Sequence, residues 1–411
     1  MPFIILLSLM ALGDLLWCRD ALRQRIRWMR WLGVSFGAMQ FAGLVAILSS
    51  RTGVSLEEAI PRPVNSMILA WHLVVLLPWL ALRSAQGLVR LARKIASLIR
   101  KTPARVSPVA TGFTRREFLG AAAAFTPPML TLGAAAVGET QLDGFRIRSL
   151  DVPVAGLPPA FEGLTIAHLS DFHVGRFTRG RVLERIVEET NRLNADVIAL
   201  TGDFINHSLR DLPAALDIVR SLRARHVIAA CEGNHDLFED ARAFRRESER
   251  GGLPLLLGDM AATTIRGQKM QILGIPWTHS AGGMDENIRA LIARRDPAAW
   301  PLLLAHHPHA WDFAGDIPLT LAGHTHGGQL MLTDRIGPGP LMYRYWSGLY
   351  TRPGGALVVS NGVGNWFPVR IQAPAEILHL TLRRRDASSR ETPHNIARRA
   401  QRSSAEIVTV G

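Results

Sequence analysis

The chain has 411 residues, 48% of them hydrophobic, with a mean hydropathy of +0.12 and a formal net charge of +13. That length exceeds one ordinary domain of ~100–200 residues, and the hydropathy is high for a wholly soluble enzyme. The basic excess sits at the ends (16 Lys/Arg against 6 Asp/Glu in residues 1–140, 7 against 3 in 383–411, 24 against 25 between them), which excludes a nucleic-acid footprint on the central body.

Three apolar runs fill the first quarter, at residues 2–17, 31–49 and 64–82. A spanning helix needs ~20 mostly apolar residues, which suits the second and third; the first is short and carries Asp14. Core helices of a soluble domain are the alternative, disfavoured because three such runs so close together are hard to bury in a small domain. Arg19, Arg23, Arg25, Arg27 and Arg30 lie between the first two runs, whereas Arg51 and Arg62 between the second and third are balanced by Glu57 and Glu58. After the third run come Arg83, Arg90, Arg93, Lys94, Arg100, Lys101, Arg105, Arg115 and Arg116. The positive-inside rule then places the N-terminus outside and the first and third loops in the cytoplasm. Asp14, Gln40 and His72 within the runs are read as end-snorkelling or helix-pair contacts.

A fourth run, 119–138, is Ala-rich and interrupted by Pro127 and Pro128. It follows Thr114-Arg115-Arg116-Glu117-Phe118-Leu119, which resembles a twin-arginine export signal in an internal position, with Ala134, Ala135 and Ala136 as a small-residue cleavage site. The competing reading is a juxtamembrane basic cluster before a weak span. Either one delivers the rest of the chain to the far side, so the expected location is a bacterial cytoplasmic membrane, multi-pass, with the following domain extracytoplasmic. If 119–138 does not cross, that domain is cytoplasmic. The expected boundaries are a membrane region over 1–110, the twin-arginine-like segment and fourth run over 111–140, an α/β domain over 141–382 and a basic, disordered tail over 383–411. Cys18 and Cys231 are the only cysteines, far apart in sequence and setting, and no disulfide is expected.

From Phe145 onward short β-like runs alternate with helical stretches. Residues 164–169, 197–201, 227–231 and 302–305 read as buried strands, with amphipathic helices over 179–193 and 212–223. The alternation predicts an α/β domain with right-handed crossovers, whose ligand site lies outside the carboxyl ends of the strands. Those ends carry metal-binding residue types: Asp171-Phe172-His173, Gly202-Asp203, Gly233-Asn234-His235-Asp236 and His306-His307-Pro308. A fifth element over 318–322 runs into Gly323-His324-Thr325-His326-Gly327-Gly328. Carboxylates with imidazoles suit divalent first-row metals, namely Mn, Fe, Zn, Co or Ni. A bridging carboxylate such as Asp203 could hold two ions ~3.5–4 Å apart, a pair that clamps a phosphate and activates a bridging water or hydroxide. A lone Asp-X-His is more often a surface pair, and Gly-Asp is commonly a turn. Five such pieces in order, all at strand ends, separate a metal centre from chance.

The series Asp-X-His, Gly-Asp, Gly-Asn-His-Asp, Ala-His-X-Pro and Gly-His-Thr-His-Gly-Gly-Gln resembles the calcineurin-like metallophosphoesterase family over residues 143–382. The sequence is most similar to that family's bacterial exported or membrane-associated branch. That branch continues with a Tyr (here Tyr343 or Tyr345), Gly348-Leu349-Tyr350, a strand over 357–360, Gly362 and Gly364, Pro368 and Arg370, and a closing strand at Pro374 and Glu376. The resemblance implies a β-sandwich flanked by helices and two divalent metal ions. Asp171, His173 and His326 would bind the first ion, Asn234, His306 and His324 the second, and Asp203 would bridge. His235 matches the catalytic histidine that faces substrate, stabilising charge on phosphoryl oxygens or protonating the leaving group. Asp236 is expected to orient that imidazole or to cap a helix before Leu237. Asn206 stands where many relatives carry a second Asp, and His307 and His309 crowd the fourth motif. Arg370 is expected to be exposed, meeting a substrate anion or making a salt bridge. Cys231 and His279 are read as structural or as partners of the ligands.

The function these readings favour is hydrolysis of a phosphodiester, pyrophosphate or phosphomonoester, on a membrane or cell-envelope substrate such as a lipid-linked phosphate. The alternative is a catalytically silent, membrane-anchored sensor or scaffold of the same fold. The complete set of seven matched ligands and His235 argues against it. No nucleic-acid partner is expected, and the sequence sets no oligomeric state.

Overall fold

The structure, a computed structural model, describes residues 2–24, 26–49, 56–100, 115–333, 335–385 and 405–409. The chain divides into two compact units, Met1–Glu139 and Thr140–Gly411.

The first unit is helical. It holds α1 (Pro2–Leu22), α2 (Arg27–Ser49), α3 (Arg62–Leu69), α4 (Leu77–Arg100) and most of α5 (Arg115–Gln141). Between α3 and α4 the helix widens into a π-helical segment, Ala70–Leu76, a feature often tied to function. Trp71 in that segment is fully buried, edge-on to Trp17 at 5.1 Å and Phe36 at 5.0 Å. It donates its indole N–H to Asp14 Oδ1 at 2.8 Å, while His72 Nε2 lies 2.9 Å from Asp14 Oδ2. Asp14 and His72 are both buried, so they form an internal helix-pair contact rather than reaching for the ends. Arg27–Ser49 and Arg62–Ser97 are long and apolar enough to cross a membrane, and they contain the second and third apolar runs. The first run forms α1 but does not meet that test among the described residues.

α5 continues through Pro127 and Pro128, although the sequence reading expected an interruption there. Thr131 Oγ1 donates to the Pro127 carbonyl at 2.9 Å, adding a side-chain bond where proline removes main-chain donors. Arg115 and Arg116 open this helix. Thr114, Lys101, Arg105, Arg51 and Arg25, which figured in the topology and export readings, lie outside the described residues.

The second unit runs β1 (Gly144–Val154), β2 (Thr165–Leu169), α6 (Arg181–Arg192), β3 (Val197–Thr201), α7 (Leu212–Ser221), β4 (Val227–Cys231) and α8 (Ala241–Arg250). It continues with β5 (Asp259–Ile265), β6 (Gln268–Gly274), α9 (Ala281–Arg294), β7 (Trp300–Leu304), β8 (Leu319–Ala322) and α10 (Pro338–Met342). The last elements are β9 (Gly348–Arg352), β10 (Gly355–Val359), β11 (Glu376–Arg384) and β12 (Ala405–Thr409).

Two six-stranded sheets form, ordered β12-β1-β11-β2-β3-β4 and β5-β6-β7-β8-β10-β9. Within them β2-β3-β4 and β6-β7-β8-β10 are parallel. The sheets share one core, in which Ile166, Val197, Ala199 and Leu380 of the first pack with Ile272, Leu302, Leu321 and Val358 of the second. α6 and α7 cover the outer face of the first sheet, and α9 with the short helix Pro308–Phe313 covers that of the second. Strands buried on both faces must be apolar throughout, which explains the unbroken runs in β3 and β7. Each fully buried Leu, Ile or Val stabilises this sandwich by roughly 1.5–3 kcal/mol. The fold is thus the helix-flanked β-sandwich anticipated from the motifs.

The tail differs from its expectation. Arg383 and Arg384 belong to β11, and Ala405–Thr409 forms an edge strand antiparallel to β1, while residues 386–404 lie outside the described ones. Cys18 and Cys231 are both free thiols.

Candidate metal centre

Five strand ends, from both sheets, converge. β2 leads into Asp171 and His173, β3 into Asp203, β4 into Asn234 and His235, β7 into His306, and β8 into His324 and His326. Main-chain bonds tie the turns together: Asp171 N donates to Gly202 O at 2.9 Å, His173 N to Asp203 O at 2.9 Å, and Gly323 N to His306 O at 3.1 Å. Asp171, His173, Asp203, His324 and His326 all adopt left-handed backbone conformations, with φ between 45° and 73°. Non-glycine residues seldom do so, and such strain concentrates at functional sites. Two glycines permit the close approach of these turns. A Cβ on Gly233 would strike the Asp203 carboxylate and amide, and one on Gly323 would strike Ser170 and Asp171.

Three ligand groups result: Asp171 with His173 and His326, Asp171 with Asp203 and His306, and Asp203 with His173 and His235, each with its donor atoms within 4.8 Å of one another. His326 Nε2 is 3.2 Å from Asp171 Oδ1 and 3.0 Å from His173 Nε2. His173 Nε2 is 3.5 Å and His306 Nε2 3.2 Å from Asp203 Oδ2, so Asp203 lies between histidines of both sheets. Asn234 Oδ1 and His324 Nδ1 are 2.9 Å apart on the other flank. All seven expected ligands are therefore brought together.

The residues fit divalent metal ions. Asp171, His173, Asp203, His306 and His326 are buried, which is tolerable for carboxylates only beside positive charge. His306 Nδ1 donates to the Thr201 carbonyl at 2.5 Å, which leaves a lone pair on Nε2 aimed at carboxylate oxygens. That Nε2 has no hydrogen-bond partner among the described residues. A carbonyl acceptor behind a ligating imidazole is the usual support for a metal-bound histidine.

Charge in the site is finely opposed. Burial works against a charged His306, but Asp203 and Asp171 override it and push the imidazole up to about 9. Burial also works against ionised Asp203, yet the His306 and His235 rings hold it well below the usual carboxylate range. His235 is pushed down to about 4 by burial, against the pull of Asp203. Its Nδ1 donates to the Asn206 carbonyl at 2.5 Å, leaving Nε2 for a substrate. The Asn206 role is thus a main-chain one; its amide lies 3.3 Å from His207 Nδ1.

Two expectations are corrected. Asp236 does not reach the His235 ring. Its buried carboxylate accepts from the amides of Asp203 (3.0 Å), Phe204 (2.7 Å), Ile205 (3.1 Å) and Gly233 (2.8 Å), fixing the turn that presents Asp203. Arg370 is buried, not exposed, because four acceptors of the 361–373 loop and the imidazole of His326 surround its guanidinium. His279 is exposed, and the His307 and His309 rings lie 5.0 Å apart, tilted by 50°, with His307 also 4.9 Å from the His324 ring.

Trp277 was missed by sequence reading. It lies over His306 at 5.4 Å and His324 at 5.1 Å, with its amide bonded to the buried Glu232, which Arg245 grips through two nitrogens. Its position just past the carboxyl end of β6 was the available signal. Tyr343, known only as a motif residue, places its hydroxyl 3.4 Å from His324 Nε2.

Residues 164–328, from the entry of β2 through the fifth motif, match the calcineurin-like phosphoesterase family. A transmembrane protein with metallophosphoesterase domain from Danio rerio is 28% identical over 267 residues, covering 58% of this chain and 57% of that protein. An uncharacterised metallophosphoesterase of Helicobacter pylori is 28% identical over 233 residues, covering 53% and 60%. Another from Bacillus subtilis is 27% identical over 283 residues, covering 66% and 98%. The matched stretch spans less than two thirds of the first two relatives.

Proposed function

We propose that the Thr140–Gly411 unit hydrolyses a phosphoric ester at a dinuclear metal centre. The observation that carries this reading is the convergence of five strand ends on one buried carboxylate–imidazole cluster, with the His306 lone pair unpartnered among the described residues. Asp171, His173 and His326 would hold the first ion and Asn234, His306 and His324 the second, with the Asp203 carboxylate, set between His173 and His306, available to both. When bound, such ions polarise phosphoryl oxygens and lower the pKa of water at the site. The chain's own groups do the rest. His235, its Nδ1 held by the Asn206 carbonyl, presents Nε2 to the phosphoryl group; there it would take up a proton from water at the site and pass it to the leaving oxygen. Asp236 keeps the Asp203 turn in place, and Trp277 shields the second flank from water.

The substrate is a phosphoester with an apolar substituent at a membrane, of the lipid-linked kind. Phe238 and Trp366, 50% and 37% exposed, flank the His235 ring at 4.4 and 6.4 Å and offer that substituent an apolar wall. The two helices long enough to span a bilayer support membrane attachment. With the run 119–138 as a further crossing, the catalytic unit lies on the extracytoplasmic face of a bacterial cytoplasmic membrane, which an alkaline-phosphatase fusion at Gln141 tests by its activity outside the cell.

The chemistry is tested on the full chain purified in detergent, chelated, then reloaded singly with Mn, Zn, Fe, Co or Ni. A chromogenic phosphodiester is assayed beside its monoester. Turnover restored by metal is expected, and the ratio of the two rates names the bond class. A folded, metal-loaded chain inert on both esters would overturn the reading.

A further inference from the structure

The exposed apolar surface of the second unit gathers in one place. Among the described residues, its large exposed apolar side chains, all but Leu257, lie on three segments around the metal centre. The segment after the fifth motif carries Leu332, Ile336, Leu341 and Met342, between 58% and 86% exposed. Tyr343, next in the chain, comes within 3.4 Å of His324 Nε2, so this segment leaves the site and returns to it. Ile371 joins it through Met331 N, which donates to the Ile371 carbonyl at 2.9 Å. Trp366 lies 6.4 Å from the His235 and His326 rings, and Phe238 lies 4.4 Å from His235.

These side chains project from a built frame. Met331 is buried, and a Cβ on Gly328 would strike both its sulfur and the Gly339 main chain, so the two ends of the loop pack together. Leu332 N donates to the Ile336 carbonyl at 2.8 Å and Ile336 N to Thr333 Oγ1 at 3.1 Å, closing the turn between them. The frame turns Met331 inward and leaves its four large apolar neighbours outside. Single exposed apolar residues are ordinary, but an apolar patch of this extent marks a contact with a membrane or a protein.

We infer that this collar is a membrane-docking surface. Leu332, Ile336, Leu341 and Met342 enter the interface of the bilayer that anchors the chain, and the metal centre meets a phosphoester held in that leaflet. The inference rests on the membrane-attached reading above and names the surface that serves it. Two observations favour a bilayer over a protein partner. The same chain carries two helices long and apolar enough to span one. The segment 330–344 also holds two arginines, the exposed Arg335 and Arg344, against one aspartate, a balance that suits an anionic leaflet. Apolar side chains flanked by cations settle roughly 5–10 Å into the boundary between headgroups and acyl chains.

The test uses the full chain reconstituted in vesicles of phosphatidylcholine and phosphatidylglycerol. Leu341→Cys and Leu332→Cys are each made with Cys18→Ala, which leaves the buried Cys231 as the other thiol, and labelled with a polarity-sensitive nitrobenzoxadiazole dye. Lys269→Cys is the control, an exposed position at the amino end of β6, the strand whose carboxyl end leads to Trp277 over the site. Dye at 341 and 332 is expected to emit to the blue of dye at 269. It should also be quenched by lipids carrying a nitroxide near the top of the acyl chain, with dye at 269 unaffected. Equal emission and quenching at all three positions would overturn the inference. Blue-shifted emission without lipid quenching would overturn it in favour of a protein partner or a second copy. Flotation of the same vesicles separates the two readings. A chain that does not float with lipid overturns membrane attachment and this inference with it, whereas a floating chain with unquenched dye overturns this inference alone.

Discussion

His306 Nε2 stands 3.2 Å from Asp203 Oδ2 while the opposite ring nitrogen is committed to the Thr201 carbonyl at 2.5 Å. A lone pair facing a carboxylate is repulsive, so a metal ion or a proton must sit between them. In chelated protein the proton takes that place, which is why Asp203 and Asp171, outweighing burial, push His306 up to about 9. A group raised by folding stabilises fully below its unfolded value, near 6.5, and that contribution disappears as pH rises through about 9. His235 and His307, pushed down by burial to about 4 and about 3, act on the other side, so stability climbs with pH up to about 6.5. The melting temperature of the chelated chain is therefore expected to peak near pH 6.5 and fall toward pH 9. The metal-loaded chain should keep its melting temperature over the upper window. Equal pH profiles for the two forms would contradict this account.

Asp236 supports the site through four amides. Asp236→Ala leaves those donors buried and unmatched, and about 3–5 kcal/mol of unfolding free energy should be lost. Urea unfolding of the full chain measures it. A loss below about 1 kcal/mol would mean that water replaces the carboxylate without penalty.

In the helical unit, Asp14 and His72 form one buried pair. Truncating one partner strands the other, so His72→Ala should destabilise that unit by about 3–5 kcal/mol in detergent. Replacing both by leucine should recover only part of the loss, because the pair is removed together but the buried Trp71 indole N–H loses its acceptor. A double variant as unstable as the single one would refute a simple pairing role.

The apolar wall beside His235 predicts a kinetic split. Phe238→Ala and Trp366→Ala each remove a ring from the wall, and KM for an ester with an apolar leaving group should rise by about tenfold, equivalent to some 1.4 kcal/mol of lost burial. The kcat should change little, since neither ring touches a transferred proton. Equal KM values for wild type and both variants would remove the case for an apolar substituent.

The residues of the candidate metal centre were legible in sequence because each motif is local, a few residues after a strand whose apolar run announces it. β3 and β4 were found at their observed bounds for the same reason, being buried on both faces. The β5–β6 hairpin escaped, since Gln268, Lys269 and Gln271 interrupt its apolar pattern on a half-exposed edge. β12 escaped because its five residues sit in an Arg- and Ser-rich tail and gain their partner from β1, more than 250 residues away. Arg370 and Asp236 carried the right residue types but the wrong roles. Whether a side chain points to solvent or into a ligand's back is decided by loops that meet only in the folded state, here 361–373 against His326 and Gly233–Asp236 against the Asp203 turn. Trp277 had no motif of its own to mark it.

The most direct test of the central claim counts metal ions and turnover in the same samples of full-length wild type, Asp203→Ala and His235→Ala. The account predicts two ions per chain and phosphoester hydrolysis for wild type, with both lost or reduced in Asp203→Ala. His235→Ala should keep both ions while turnover falls by about 10²–10⁴-fold, as removal of a proton donor requires. Wild-type turnover in His235→Ala, or undiminished hydrolysis by metal-free wild type, would contradict it.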